Sequence, residues 1–320
     1  MNHTENKIAL SIVIPVLNEE ENVLKLHQAL NPVLQKYGQP YEIIFVDDGS
    51  TDKTSELVSG IQDPQVVLIR LRRRFGQTAA MSAGIDYARG DIIIMMDGDL
   101  QNDPQDIPRL LAKMNEGYDI VSGWRKDRKD KYMTRIFPSK IANWLIGAIT
   151  GVRLHDYGCS LKAYHKDVIK DLKLYGEMHR FIPALASWYG ASIAEMPVTH
   201  HPRQFGKSKY SLTRITRVVL DLLTVKFLLS FVTKPLQIFG LLGLGSFSIG
   251  TLICLYLTFI KFFYQVNIGG RPLLLLGILM LMAGIQFITL GLLAEMISRT
   301  YFESQDKPIY VIKEVVRRES

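Results

Sequence analysis

Two stretches of this chain carry no charged side chain over lengths that constrain everything else about it. One runs from Pro235 to Ile260, bracketed by Lys234 and Lys261, and the other from Leu273 to Ala294, ended by Glu295. Each exceeds the ~20 residues that an α-helix needs to cross hydrocarbon. Gly240, Gly243, Gly245, Gly277 and Gly284 would weaken a soluble helix but suit close helix packing in lipid. The competing reading is a pair of core helices in a large soluble protein, which uncharged runs of this length disfavour. The link "KFFYQVNIGGRP" is short, so the two segments form a hairpin with both ends on one side. Arg203, Lys207, Lys209, Arg214, Arg217, Lys226 and Lys234 precede the hairpin, and Arg299, Lys307, Lys313, Arg317 and Arg318 follow it. The positive-inside rule then predicts a multi-pass protein of the cell membrane with both termini cytoplasmic and the linking loop, with Lys261 and Arg271, outside.

Ahead of the hairpin, "KYSLTRITRVVLDLLTVKFLL" repeats apolar residues at helical spacing (Leu212, Ile215, Val218, Val219, Leu222, Leu223, Val225) with Arg214, Arg217 and Lys226 among them. This predicts an interfacial helix on the membrane, against a plain surface helix packed on the preceding domain. The expected boundaries are a front domain over 1–209, the interfacial region over 210–230, two membrane helices over 231–298 and a cytoplasmic tail over 299–320. The tail segment "KPIYVIKEVV" alternates apolar residues and could pair as an edge strand, which makes a homo-oligomer an expected partner state.

The front domain alternates strand and helix signals. "ALSIVIPV", "YEIIFVDD", "QVVLIRL", "DIIIMMD" and "YDIVSG" read as strands. Asn18 is placed to cap a helix beginning at Glu19, and "GQTAAMSAGIDYARG" reads as a small-residue helix. Such alternation indicates an α/β fold around a mostly parallel, covered sheet, and in such sheets ligands sit at the carboxyl ends of the strands. Asp47-Asp48 and Asp97-Gly98-Asp99 occupy that position. The net charge of +7 points to anionic partners. The two cysteines, Cys159 and Cys254, fall in regions of different character, so a disulfide framework is not expected. The N-terminus reads as a polar tail followed by a strand, not as a signal peptide.

Ionised groups at the end of a buried strand are costly unless they bind something. On an extended segment residues i and i+2 point the same way, so Asp97 and Asp99 can converge on one ligand, with Gly98 allowing close approach. Two carboxylates with open positions suit Mg²⁺ or Mn²⁺, the rest of the shell coming from phosphates and water. Gln101 continues the alternation and can add a carbonyl oxygen. A D-x-D alone is more often a solvated turn; its place after five apolar residues in a βα series favours the functional reading. Neither G-x-x-x-x-G-K-[ST] nor G-x-G-x-x-G is present, which argues against P-loop ATPase and dinucleotide dehydrogenase chemistry.

"SIVIPVLNEEENV", "IIFVDDGSTDKT", "RLRRRFGQTAAMSAGIDYARGDIIIMMDGDLQNDP", "VSGWRKDR", "HDYGCSLKAY", "HRFIPAL" and "HPRQFGKSKY" together resemble family 2 glycosyltransferases, above all the polyprenyl-phosphate group that includes dolichyl-phosphate mannose synthase and bactoprenol glucosyltransferases. The resemblance covers about residues 8–212, and the hairpin matches the bacterial branch. It implies a GT-A fold, a divalent metal, a nucleotide-sugar donor and a polyprenyl phosphate acceptor, with no nucleic acid partner. Pro15, Glu19, Asp47, Asp48 and Asp97 would line the nucleotide site; Asp97, Asp99 and Gln101 would hold metal and diphosphate. Asp156 would sit near the sugar as the catalytic carboxylate, with Asp99 as the other catalytic residue. Arg125, Arg135, Ser139 and Arg203 would grip the acceptor phosphate. Leu17 departs from the family, where many relatives carry an aromatic residue that stacks on the base.

The residues support these roles independently. Arg and Lys crowd around Trp124, Tyr132 and Phe137 beside the membrane segments, which suits an anionic lipid head as well as a solvated loop. Arg70, Arg72, Arg73 and Arg74 either contact donor phosphates or form a solvated face. His155, His179, His200 and His201 lack a tight metal-binding spacing and read as structural, and Cys159 as an inert buried thiol. The expected reaction is inverting transfer of a hexose, glucose from UDP-glucose, to undecaprenyl phosphate. The alternatives are GDP-mannose or a UDP-aminosugar as donor, or a non-catalytic membrane sensor of nucleotide-sugar or lipid. A processive polysaccharide synthase would carry Q-x-x-R-W, which is absent.

Overall fold

In a computed structural model of the chain, the described residues are 7–126, 143, 146–148, 150–172, 174, 178–202, 235–265, 267–304 and 309–317. The chain divides into two compact units, residues 1–225 with 308–320, and residues 226–307. The expected interfacial region over 210–230 lies outside the described residues, as do Arg135, Ser139 and Arg203.

The first unit is built on one sheet of eight strands in the order β7-β5-β6-β4-β1-β2-β3-β8. β1 (Leu10–Val16), β2 (Tyr41–Asp47), β3 (Val66–Leu71) and β4 (Ile92–Met95) run parallel. Their runs of apolar, partly β-branched residues are buried on both sides, as parallel strands require. β5 (Ile120–Trp124) and β7 (Ile193–Pro197) are parallel to each other, and β6 (Lys162–His165) is antiparallel to both β4 and β5. The sheet is therefore mixed, with the expected parallel order confined to its centre.

Period-two alternation sorts the core. Leu10, Ile12, Ile14 and Val16 of β1 share a cluster with Leu26 and Leu30 of α1 (Val23–Tyr37) and Leu110 and Leu111 of α4 (Ile107–Met114). Each such buried side chain contributes about 1.5–3 kcal/mol. Val13, in the opposite phase, meets α3 (Gln77–Tyr87), whose Gly84 lies so close that a Cβ would overlap it. The run of alanines in α3 thus permits a close helix–sheet approach. α2 (Thr54–Ser59) joins β2 to β3, and α5 (Lys166–Lys170) and α6 (Ile182–Trp188) lie between β6 and β7. Asn18 does not cap α1: it adopts a positive φ of 52° and its amide oxygen accepts from the Thr51 N–H at 2.9 Å, and the helix begins at Val23.

In the second unit α7 (Pro235–Tyr264) and α8 (Pro272–Ser304) pack as a hairpin. Backbone approach is closest where glycines meet: a Cβ on Gly284 would stand 2.7 Å from the Gly243 carbonyl oxygen, and one on Gly250 2.8 Å from that of Gly277. Phe239–Tyr264 and Pro272–Ala294 are long and apolar enough to cross a membrane, and only 17% and 11% of them is buried within the protein. Helices this apolar and this exposed do not belong to a water-soluble core.

The last strand, β8 (Ile312–Arg317), returns to the first unit and pairs antiparallel with β3. The edge strand expected to serve a second copy is thus taken up by its own chain. Arg70 pairs with Glu314 at 3.1 Å, and Tyr310 donates to Asp86 at 2.7 Å. Glu42 is the buried hub beneath this edge, only 1% exposed. Its carboxylate accepts from Ser11 Oγ and the Arg89 N–H, both at 2.7 Å, and from Arg89 Nε at 3.1 Å, with Arg317 at 3.5 Å. Replacing Glu42 with Ala leaves buried donors unpaired and is expected to cost about 1–3 kcal/mol. Glu42→Gln should lose less, and thermal unfolding of the two variants in detergent, followed by circular dichroism, checks the order.

Candidate active site

The parallel order reverses between β1 and β4, and a cleft opens there at the carboxyl ends of the strands, where this topology places ligands. It has a volume of about 300 Å³. Pro15, Val16 and Leu17 reach it from the end of β1, Asp48 from β2 and Met95 to Asp99 from β4. Glu19, Gln101 and Arg125 line it too.

Asp97 and Asp99 converge as the residue types suggest, but not by strand alternation. β4 ends at Met95, and Leu100 has a φ of 62°, so the acids sit on a bend. Gly98 permits it, because a Cβ there would stand 2.9 Å from Val16. Asp99 is 7% exposed. Burial, then the neighbouring Asp99 charge, raises the Asp97 pKa, so the pair is a site that a cation relieves. Gln77 donates to Asp97 at 2.8 Å. Gln101 gives its amide hydrogens to the His201 carbonyl at 3.3 Å, which leaves its amide oxygen as the group for a hard cation. Among the described residues no group of three or more His, Cys, Asp or Glu is placed to hold a metal ion. The oxygen set therefore fits Mg²⁺ or Mn²⁺ only if a diphosphate and water complete the shell.

The remaining acids separate. Asp48 bridges the β3–α3 connection, accepting from the N–H groups of Phe75 at 2.6 Å and Gly76 at 2.9 Å, while burial raises its pKa. Asp47 is not a cleft-lining residue; its carboxylate takes the Ser50 N–H at 2.8 Å and the Ser55 hydroxyl, closing the turn after β2. Glu19 is held by Asn22, which donates at 2.6 Å.

Asp156 and Arg125, expected to act on sugar and acceptor phosphate, meet each other. Arg125 Nε and Nη2 donate to the two Asp156 oxygens at 2.7 and 2.9 Å, with side chains 12% and 6% exposed. Gly158 leaves room, since a Cβ there would approach Arg125 Nη2 to 3.1 Å, and its N–H donates to Asp156 at 3.1 Å. Glu195 of β7 fixes the approach by accepting the N–H groups of His155 and Asp156, each at 3.0 Å. His155 also stacks on Trp124, ring centroids 4.3 Å apart. Both oxygens of this carboxylate are thus engaged by protein donors. His201 pairs with Asp103 at 3.0 Å, outside the cleft lining.

Sequence reasoning passes over Lys162 and Arg180 and reads His179 as structural; all three line the cleft. Lys162 is fully buried in β6 and donates to the carbonyls of Tyr157 (3.2 Å) and Cys159, so it staples the Asp156 loop from below; burial lowers its pKa. A lysine between Leu161 and Ala163 in a strand is the signal that identifies it. His179 shares a 2.7 Å hydrogen bond with Thr78, and burial, aided by Arg180 and Lys162, pushes its pKa down to about 3. It is neutral at physiological pH and can hydrogen-bond but not supply charge. Cys159 is buried and its thiol is pushed up to about 11, as inert as expected; Cys254 is also free. Arg70 belongs to the β8 edge, Arg73 lies over Phe75, and Arg74 alone of that basic run lines the cleft.

Residues 11–173 match glycosyl transferase family 2. The chain is 48% identical over 320 residues to dodecaprenyl-phosphate galacturonate synthase of Rhizobium johnstonii, covering 98% of this chain and 95% of the relative. It is 38% identical to undecaprenyl-phosphate 4-deoxy-4-formamido-L-arabinose transferase of Shewanella sediminis, covering 99% and 95%. Among solved structures, glucosyl-3-phosphoglycerate synthase from Mycobacterium tuberculosis, in complex with Mn²⁺ and UDP-glucose, matches with a TM-score of 0.54 at 19% identity, over 68% of this chain and 79% of that one. Mannosyl-3-phosphoglycerate synthase from Rubrobacter xylanophilus matches with a TM-score of 0.56 at 16% identity, over 69% and 74%. These two establish the GT-A fold and nothing further. The chain belongs to glycosyl transferase family 2 and is a glycosyltransferase.

Asp156→Asn removes the charge that holds Arg125. The expected loss is about 1.5–3 kcal/mol, or roughly ten- to a hundredfold in kcat/KM. If the two residues act as one unit, the Arg125→Met/Asp156→Asn double variant is no worse than the poorer single variant. Fully additive losses would show that they act separately.

Proposed function

We propose that this family 2 glycosyltransferase moves a hexuronate from a nucleoside diphosphate to a polyprenyl phosphate at the cytoplasmic membrane face. The observation that carries the transfer chemistry is the meeting, in one cleft, of Asp97 and Asp99 with Arg125, which is chelated by Asp156, itself not a lining residue. The choice of sugar rests on the relative at 48% identity, named for galacturonate. The two sequence relatives are named for galacturonate and for 4-deoxy-4-formamido-L-arabinose, so the glucose expectation gives way to a charged or modified sugar.

In this reading a phosphate oxygen of the lipid attacks the anomeric carbon, the bond from that carbon to the diphosphate oxygen breaks, and the configuration inverts. Asp97, Asp99 and Gln101 would hold Mg²⁺ or Mn²⁺, which when bound supplies charge neutralisation to the diphosphate. Pro15, Glu19 and Asp48 flank the nucleotide. Arg135, Ser139 and Arg203 grip the acceptor phosphate, and Arg125, oriented by Asp156, completes the array. A phosphate monoester has a second pKa of about 6, so the acceptor is mostly dianionic at pH 7 and no base is needed.

The hairpin anchors the enzyme. The chain before α7 and the strand after α8 belong to one sheet-bearing unit, joined by the β3–β8 pairing, which favours an even number of crossings and both termini on the cytoplasmic side. Asn267→Cys should then react with an impermeant thiol reagent in intact cells. An unreactive thiol there, with an externally accessible C-terminus, would invert the topology.

Transfer of label from UDP-galacturonate into an organic-extractable product, dependent on added polyprenyl phosphate, tests the activity. Chelation should abolish it, Mg²⁺ or Mn²⁺ should restore it, and Asp99→Ala should not be restored. Binding of nucleotide-sugar without turnover across donors would favour the sensor reading.

A further inference from the structure

The cleft contains four cationic side chains, Arg74, Arg125, Lys162 and Arg180, and three have an evident counterpart. Arg74 faces the Asp48 charge and offsets part of the upward pull of burial on its pKa. Arg125 is chelated by Asp156. Lys162 is committed to two carbonyl oxygens. Arg180 has no ion pair or hydrogen bond to its side chain among the described residues. It stands half-buried at the end of a 3-10 turn, Met178–Arg180, beside a histidine held neutral.

The position of that turn is fixed. Thr78 binds His179, and the preceding residue, Gln77, binds Asp97. The first turn of α3 therefore ties Arg180 to the flank of the acid pair. On the proposed reading, the flank of the acid pair is where the diphosphate and sugar lie. A guanidinium in a semi-enclosed site without a protein anion is complementary to an anion on the ligand. The diphosphate has a countercharge of its own at Asp97 and Asp99 once a divalent cation is bound. The remaining anion of a hexuronate donor is its C6 carboxylate, which a planar guanidinium matches with two parallel hydrogen bonds.

We propose that Arg180 is a specificity-determining residue that recognises the carboxylate of the donor sugar. This rests on the hexuronate reading above. A neutral hexose would leave Arg180 without its partner in the closed site. Discrimination would then come both from the ion pair formed with the uronate and from the unpaired guanidinium left by the hexose.

UDP-galacturonate and UDP-galactose differ at C6 alone, and the ratio of their kcat/KM values isolates that group. The full-length enzyme in detergent should favour the uronate. Arg180→Gln should lower the ratio by roughly tenfold or more, and Arg180→Lys, which keeps charge but not the planar fork, should lie between. Calorimetric binding of UDP with Mn²⁺ should match the wild type in both variants, which also reports that they fold. If Arg180→Gln weakens UDP binding and lowers both donors equally, Arg180 serves the diphosphate and the inference is overturned. If the wild type favours the uronate and Arg180→Gln retains the full preference, the inference alone fails. If the wild type does not favour the uronate, the hexuronate reading itself fails, and the inference with it.

Discussion

The bidentate pair between Arg125 and Asp156 organises the half of the cleft that the parallel strands do not build. Two charged groups removed from water to this degree are stable together only when geometry and surrounding hydrogen bonds are both satisfied. The fold meets that requirement from three sides. Glu195 on β7 fixes the backbone of His155 and Asp156, Lys162 on β6 holds the carbonyls of Tyr157 and Cys159, and Arg125 itself follows directly from β5. Side chains of the mixed wing β7-β5-β6 thus hold one loop in place. The parallel centre presents the opposite wall, with Asp97 and Asp99 beyond β4.

A second constraint comes from the apolar hairpin of α7 and α8. The chain leaves the sheet-bearing unit before α7, returns to it after α8 and adds its last strand to β3. That strand covers the edge that β3 would otherwise expose, which is a known hazard for association. Its side chains then join existing networks: Glu314 to Arg70, Tyr310 to Asp86 and Arg317 to Glu42. The return of the chain therefore also contributes to the stability of the catalytic sheet.

Much of this was legible in the sequence. The alternation of apolar strands with helical segments identifies the α/β core, and uncharged runs of more than ~20 residues identify the hairpin. The position of the D-x-D at a cleft was legible because acids at the end of a buried strand need a reason. Its geometry was not, because Leu100 in the left-handed region turns the backbone and no periodicity rule anticipates a single residue of that kind. Asn18 shows the same limit: a capping residue in sequence terms, it bonds instead to Thr51, a residue distant along the chain. Asp47 and Asp48 are indistinguishable as neighbours in sequence, yet one closes a turn and the other borders the cleft. The pairing of Arg125 with Asp156 and the tail strand's choice of β3 are tertiary events between segments far apart in sequence, so local pattern carries no trace of either.

The Arg125–Asp156 pair also bears on how the proposed transfer could proceed with this carboxylate engaged through both oxygens. A sugar hydroxyl is a poor nucleophile until a base withdraws its proton, and an acid serving that purpose has to keep an oxygen open to the acceptor. A phosphate monoester loses its second proton near pH 6, so at neutral pH the nucleophile arrives already charged. An isolated carboxylate beside it would repel it. Engaged by Arg125 through both oxygens, Asp156 contributes no net charge to the approach, and its pull on the guanidinium fixes the plane of the remaining donors. If the acceptor is the phosphate proposed above, a chelated aspartate suffices, where transfer to a hydroxyl would call for an open one.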